Sequence, residues 1–316
     1  LQLSKACEGY VRWLLATRDL SPHTNRAYQG DLSSFEEFAG ASFEVNEIER
    51  PTLVDFLERQ RALGLSPASL RRRASALRGF CRWLLAQELI ESDPWIGATF
   101  ALGRTRRLPR VLPTQELDRL LAFLRRTADA DSDIPVQPEL VQKRPHEFTT
   151  LLAVSLMVAT GVRVHEVVSF RCQDIDLGGR AIRLMGKGRR ERQVFLTNGW
   201  ITDLTDAYLQ ARAPLDLPHS CLLFNLHFEP LTPAAMRSRL AKAASAAGLT
   251  MRVTPHMLRH TAATQLMEAG VDIRYIQRLL GHASLSTTEI YTHVSDTALR
   301  RVVSDADILG RLAKTR

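Results

Sequence analysis

Apolar residues recur with a helical period along most of this chain, and the polar gaps between runs carry start and stop signals. Leu3 to Ala16 is amphipathic, with Tyr10, Trp13 and Leu14 near one face. Ser21-Pro22 restarts a helix through Tyr28, Leu32, Phe35 and Phe38, because proline in the first helical position forfeits only an N–H that lacks a partner there. A third helix is expected from about Arg50 to Leu63. Ser66-Pro67 repeats the start signal and launches Ala68 to Gln87, where Leu70, Leu77, Phe80 and Leu84 are available for a core. Residues 1–100 therefore read as a helical domain.

The period is lost over residues 101–113, ALGRTRRLPRVLP, where Arg104, Arg106, Arg107 and Arg110 stand among prolines and a glycine. Such a stretch is expected to be an extended, solvent-open linker. Beyond it, Gln115 to Arg126 is helical, and 127–145 is polar and interrupted by proline, so it reads as a loop. Glu147 to Thr160 reads as a buried helix that Gly161 breaks. From Asp174 to Phe195 the period shortens to two. Asp174–Asp176, Ala181–Leu184 and Gln193–Phe195 are β-like runs, separated by Gly178-Gly179 and by Gly186-Lys-Gly188-Arg-Arg-Glu-Arg192. Gly199 to Arg212 returns to a helix, 214–230 is rich in turns, and Thr232-Pro233 caps a helix through Ala244 with Arg237, Arg239 and Lys242 facing outward. The expected fold is mainly α, with a small antiparallel β-sheet in the second of two domains, residues 114–316.

The last third holds three short helical patterns with their own caps. Thr254-Pro255 places His256 in a first turn, three residues before Arg259 and on the same face. Gly270 closes that helix, and Asp272 opens another whose apolar stripe is Ile273, Ile276 and Leu280. Gly281 ends it just before His282. Ser286 and Glu289 form a capping box for a helix carrying Tyr291. The tail, 295–316, has Leu299, Val302, Val303, Ile308, Leu309 and Leu312 on a pattern that suits either its own domain or a partner surface.

Composition narrows the function. The 316 residues carry a formal charge of +8 and a pI near 9.7, with arginine dominating, which favours a polyanionic partner such as nucleic acid. Arg71, Arg72, Arg73, Arg78 and Arg82 on the fourth helix read equally well as a solvated face or as a face that neutralises phosphates. Cys7, Cys81, Cys172 and Cys221 are scattered, which suggests neither a disulfide framework nor a zinc site. No apolar run is long enough to span a bilayer, and the opening LQLSKACEGY lacks a signal segment, so a soluble intracellular protein is expected. His256 and His260 have a spacing that can hold zinc, but no third ligand lies nearby. The Gly186–Gly188 turn is not a P-loop, since Arg189 stands where Ser or Thr is needed.

Two imidazoles, a guanidinium and a phenol suit phosphoryl transfer. An arginine fork grips phosphate oxygens in pairs, a histidine moves protons or steadies charge near neutrality, and a tyrosine oxygen needs such neighbours to attack. Taken singly, each of these residues reads as structural.

In their order and wording, however, they resemble a known family. His256-x-x-Arg259, His282 and Tyr291, within HMLRHTAAT and LLGHASLSTTEIYTHV, look like the catalytic part of the tyrosine recombinases, the phage integrase and Xer family. ATGVRVHEVVSF resembles the family's first-arginine motif. The resemblance implies a two-domain DNA clamp whose helical N-terminal part is a SAM-like core-binding domain. It makes Tyr291 the nucleophile and places Arg163, Arg259, His282 and His256 on the phosphate. Lys187 becomes the acid for the leaving oxygen, and Glu166 and His260 become supporting residues. A small residue is usual where His165 stands, so that position departs from the pattern and is expected to be structural. DNA binding is expected from Arg71, Arg72, Arg73, Arg78, Arg104, Arg106, Arg107 and Arg110.

The family implies site-specific strand exchange through a 3′-phosphotyrosyl intermediate, with no metal, ATP or other cofactor. It implies double-stranded DNA bearing an inverted-repeat core site, and a homo-tetramer with exchanged C-terminal tails or a second recombinase as partner. A cytoplasmic, nucleoid-associated bacterial protein follows. A type IB topoisomerase is the alternative, since its attack chemistry is the same.

Overall fold

The computed structural model describes residues 1–18, 22–96, 111–130, 136–185, 191–281, 296–307 and 310. Two hydrophobic cores form, and the chain divides into units Leu1–Arg107 and Leu108–Arg316. Among the described residues no helix is long and apolar enough to cross a membrane.

In the first unit, four apolar stripes meet on helices α1 (Leu3–Thr17), α2 (Pro22–Ala39), α3 (Arg50–Ala62) and α4 (Pro67–Ala86). The expected start of α4 is real: Ser66 Oγ accepts the Ser69 amide at 3.2 Å and Pro67 follows it. Phe35, Phe56 and Phe80 are fully buried, with Phe35 and Phe56 edge-to-face at 5.2 Å. Asp31 is buried as well, and a lone carboxylate there would be costly. It is paired with Arg72 and with Arg73, whose Nε lies 3.2 Å away, and Arg73 also meets Gln60. These bonds tie α4 to α2 and α3.

The second unit is built around α7 (Pro145–Thr160), in which every residue from Phe148 to Thr160 is buried. A helix buried on every face must be surrounded, and α5 (Thr114–Ala128), α9 (Gly199–Arg212) and α11 (Pro255–Glu268) pack against it. Gly161 ends α7 with φ +64°, and a Cβ there would lie 2.5 Å from Leu280 Cδ2. Glycine thus provides both the left-handed stop and the room for α12 (Ile273–Leu280) to come close. The short α8 (Val164–Ser169) follows, and then a three-stranded antiparallel sheet, β1 (Ile175–Asp176), β2 (Ala181–Met185) and β3 (Glu191–Phe195), paired in that order. Ile182 faces Val194 and Leu184 faces Arg192, so Arg192 falls on the same side of the sheet as buried Val194. Thr232 and Thr254 cap α10 (Pro233–Ala246) and α11 as expected, accepting the Ala235 amide at 3.1 Å and the Met257 amide at 3.3 Å.

Several expectations are corrected. The stretch 127–145 is not all loop, because Pro138 begins α6 (Pro138–Lys143), which lays buried Val141 in the core and packs on α9. Its proline opens a helix rather than breaking one. The solvent-open linker cannot extend to 113, since Leu112 is buried and its amide donates to Thr261 Oγ1 at 2.9 Å. In α12 the buried positions are Ile276, Leu279 and Leu280, while Ile273 is exposed. Arg239 does not face outward like Arg237, because its Nη1 is enclosed between α10 and its neighbours. Of the tail, α13 (Asp296–Ala306) packs on α12 and β3 of its own unit with Val303 and Ala306 buried, and Asn198 Nδ2 donates to Asp307 Oδ1 at 3.0 Å. The Ser286–Glu289 capping box and the Tyr291 helix lie outside the described residues.

Close approach of α1 and α4 generates a stability prediction. A Cβ at Gly79 would stand 2.6 Å from Tyr10 Oη, and Tyr10 is itself buried. Gly79→Ala, a change that favours an isolated helix, is expected to destabilise the helical unit by about 1–3 kcal/mol. Removing the oxygen with Tyr10→Phe should recover most of that loss, as read by denaturant unfolding of the two single variants and the double.

Candidate active site

The site begins where two helices end. Gly161 follows the last turn of α7, and Leu280 is the final residue of α12, so their carbonyl oxygens lack helical partners and carry the negative ends of the helix dipoles. Arg259, reaching across from α11, donates to both: Nη1 to Gly161 O at 2.7 Å and Nη2 to Leu280 O at 2.6 Å. The arginine is only 5% exposed, and this pair of acceptors makes its burial tolerable. Burial, followed by the nearby charges of Arg163 and Arg192, lowers its pKa to about 10, with Glu166 opposing.

Arg163 sits just ahead of α8, and Glu166 in the first turn of that helix accepts the Arg163 amide at 2.7 Å. A carboxylate at a helix start is favoured by the dipole as well as by the bond. Arg163 Nη1 also approaches Glu166 Oε1 at 3.3 Å and Leu280 O at 3.4 Å. One member of the cluster was not anticipated. Arg192, assigned to a turn by sequence, lies on β3 and meets Glu166 with both Nη1 and Nη2, at 2.8 and 2.9 Å. Its alternation with the apolar Val194 was the available signal, masked by the run of charges around it. Burial alone would raise the Glu166 pKa, but the Arg192 bonds, the Arg163 amide and both positive charges bring it below the ordinary carboxylate range.

His256 is exposed at the first turn of α11, and His260 stands one turn further on. Their Nε2 atoms are 2.9 Å apart, with the rings edge-on, so only one hydrogen can lie between them and one ring must accept. Burial first, then His256 and Arg259, lower the His260 pKa, which makes it suited to the accepting role. His165 is exposed beside the cluster. Desolvation and the charges of Arg163, Arg259 and Arg192 lower its pKa against the pull of Glu166.

Arg163, Glu166, Arg259, Arg192, His165, His256 and His260 therefore belong to one stretch of the second unit. Lys187, His282 and Tyr291 lie outside the described residues, although the strands that carry the Lys187 turn and Gly281, which precedes His282, are described. In the first unit, Arg72 and Arg73 serve Asp31, and Arg78 stacks over the Trp95 ring at 4.7 Å. Arg71 is half-buried. Arg104, Arg106, Arg107 and Arg110 are outside the described residues.

Comparison with known proteins identifies the family. The phage integrase family matches residues 110–298, and the phage integrase N-terminal SAM-like domain matches residues 7–88. Tyrosine recombinase XerC of Listeria innocua is 32% identical over 300 residues, covering 92% of this chain and 93% of that protein. Tyrosine recombinase XerD of Listeria monocytogenes is 32% identical over 301 residues, covering 93% and 96%. Among solved structures, XerH site-specific recombinase bound to palindromic difH substrate in a post-cleavage complex superposes with a TM-score of 0.66 at 25% identity, covering 89% of this chain and 79% of that one. A lambda integrase dimer bound to a COC′ core site shares the fold, with a TM-score of 0.67 at 19% identity over 90% and 96% of the two chains. With family models matched on both units and relatives matched over nearly their whole length, this chain belongs to the phage integrase family of tyrosine recombinases.

Proposed function

We propose that this protein is a site-specific recombinase that cuts and rejoins double-stranded DNA through a 3′-phosphotyrosyl intermediate. The observation that carries the reading is the convergence of Arg163 and Arg259 on helix-end carbonyls and on Glu166, in the sequence context of the family. Arg259, fixed by two short bonds, is preorganised for the charge that grows on the non-bridging oxygens of a phosphate under attack, and Arg163 stands beside it. Little reorganisation is then left for the moment of reaction.

In this scheme Tyr291 Oη attacks phosphorus, the bond to the 5′-oxygen breaks, and Lys187 delivers a proton to that leaving oxygen. His282 and His256 join the arginines on the phosphate, and the His256–His260 contact gives the tyrosine proton a route toward an imidazole. The ester conserves the energy of the cleaved bond, so a 5′-hydroxyl from a partner duplex can reverse the step without ATP. XerH was solved on difH DNA and lambda integrase as a tetramer on a Holliday junction. By the same logic this chain would work as a homo-tetramer on paired inverted-repeat sites at the bacterial nucleoid. Exchange of tails would then involve chain beyond Asp307, since α13 is already seated on its own unit.

The test exposes wild type and Tyr291→Phe to fragmented genomic DNA, denatures in detergent and sequences what stays attached to protein. Adducts from wild type alone, clustered at one sequence, are expected. Scattered adducts would favour a topoisomerase, and no wild-type adduct despite tight binding would overturn the enzymatic reading. On the recovered site, Arg259→Ala is expected to slow single-turnover cleavage by roughly 100- to 1,000-fold while shifting DNA affinity far less.

An acid limit follows from Glu166. Because its folded-state pKa is depressed, the stability it contributes is full above its unfolded pKa and is lost as pH falls through the folded value. The stability gap between wild type and Glu166→Gln is therefore expected to stay level from neutral pH down to the ordinary carboxylate range, then close below it. Urea unfolding of both proteins across that pH series reads the effect.

A further inference from the structure

Arg192 has no part in the chemistry just described, yet it grips the carboxylate that orders the site. The Glu166 side chain is 7% exposed and receives three short bonds: the Arg163 amide at 2.7 Å and the two Arg192 prongs at 2.8 and 2.9 Å. The Arg163 guanidinium is held more loosely, with Nη1 at 3.3 Å from Glu166 and 3.4 Å from Leu280 O. Its side chain is 38% exposed, whereas that of Arg192 is 15% exposed. Both prongs of Arg192 are spent on a full negative charge, whereas Arg163 is open and loosely held and can turn to a phosphate. Arg192 also packs against Gly281, where a Cβ would come within 2.9 Å of Nη1 and 3.1 Å of Cζ. Gly281 has φ +65° and immediately precedes His282.

We propose that Arg192 is a positioning residue: by saturating the Glu166 carboxylate it leaves the Arg163 fork open to the scissile phosphate. The inference rests on the proposed recombinase reading for the identity of that phosphate. The reasoning is one of competition. A buried carboxylate that loses a partner takes the nearest cation, which here is Arg163. Without Arg192, the Arg163 fork would close on Glu166 and be lost to the substrate. Lysine could not substitute fully, because its single ammonium cannot serve both carboxylate oxygens in the geometry of a fork.

The test compares Arg192→Met and Arg192→Lys with wild type, alone and in an Arg163→Lys background that keeps a residual rate. On the DNA site recovered from the adduct experiment, Arg192→Met is expected to lower single-turnover cleavage by roughly 20-fold or more, with DNA affinity within about threefold. Arg192→Lys should fall between. In the Arg163→Lys background the same Arg192→Met change should cost less than about threefold, because the group through which it acts is already gone. Equal losses in both backgrounds would reveal a merely structural residue and overturn the proposal.

A second measurement needs no cleavage. Orthovanadate, a tetrahedral oxyanion, is titrated by vanadium NMR line broadening against the full chain without DNA. Arg192→Met should weaken its binding about fivefold or more, and should weaken it no further once Arg163 is lysine. An unchanged affinity overturns the proposal. If this pattern holds while wild type forms no DNA adduct, the recombinase reading fails and the positioning role stands.

Discussion

Like charges must be gathered without unfolding the protein that gathers them, and the rest of the second unit is arranged around that constraint. Burial, then the charges of Arg163 and Arg192, lower the pKa of Arg259, and like charges repel most where water is scarce, as around this buried arginine. Two devices offset the repulsion. Glu166 supplies a full negative charge shared by Arg163 and Arg192, and the carbonyl ends of α7 and α12 supply partial negative charge to Arg259. Neither device is free-standing. The carboxylate is held by the start of α8, and the carbonyls are exposed to Arg259 only because both helices stop beside it.

That stopping is a matter of backbone sterics. Gly161 turns the chain left-handed and leaves no side chain to hold off Leu280, so the ends of α7 and α12 can share one guanidinium. Gly281, left-handed at the end of α12, likewise clears a place for Arg192 from the sheet. The deeply buried α7 anchors these ends in the core, which is why a site assembled from α7, α8, α11, α12 and β3 can hold bond distances between 2.6 and 2.9 Å. Precision at the site thus descends from packing far from any reactive atom.

In the first unit the same residue type divides its labour. Arg72 and Arg73 stand in a row that reads as a phosphate-binding face, yet both are committed to buried Asp31 and hold α4 against α2. Arg72 remains exposed enough to meet an anion as well, since a guanidinium has donors to spare. A charge run on a helix therefore need not choose between folding and binding.

By itself the sequence determined nearly every helix, because apolar period and Ser-Pro, Thr-Pro and glycine signals act within a few residues of one another. The proposed reactive set, His256-x-x-Arg259, His282 and Tyr291, is likewise legible as a pattern along the chain. What tertiary structure alone decided are the relations between distant segments. Arg192 looked like one more charge in a basic turn until strand register put it opposite Leu184 and against Glu166. Leu112 looked like linker until Thr261 claimed its amide, and Pro138 looked like a breaker until its helix found α9. The reason is physical: caps and periodicity are set by neighbours in sequence, whereas a buried charge takes its role from whichever partner the fold brings to it.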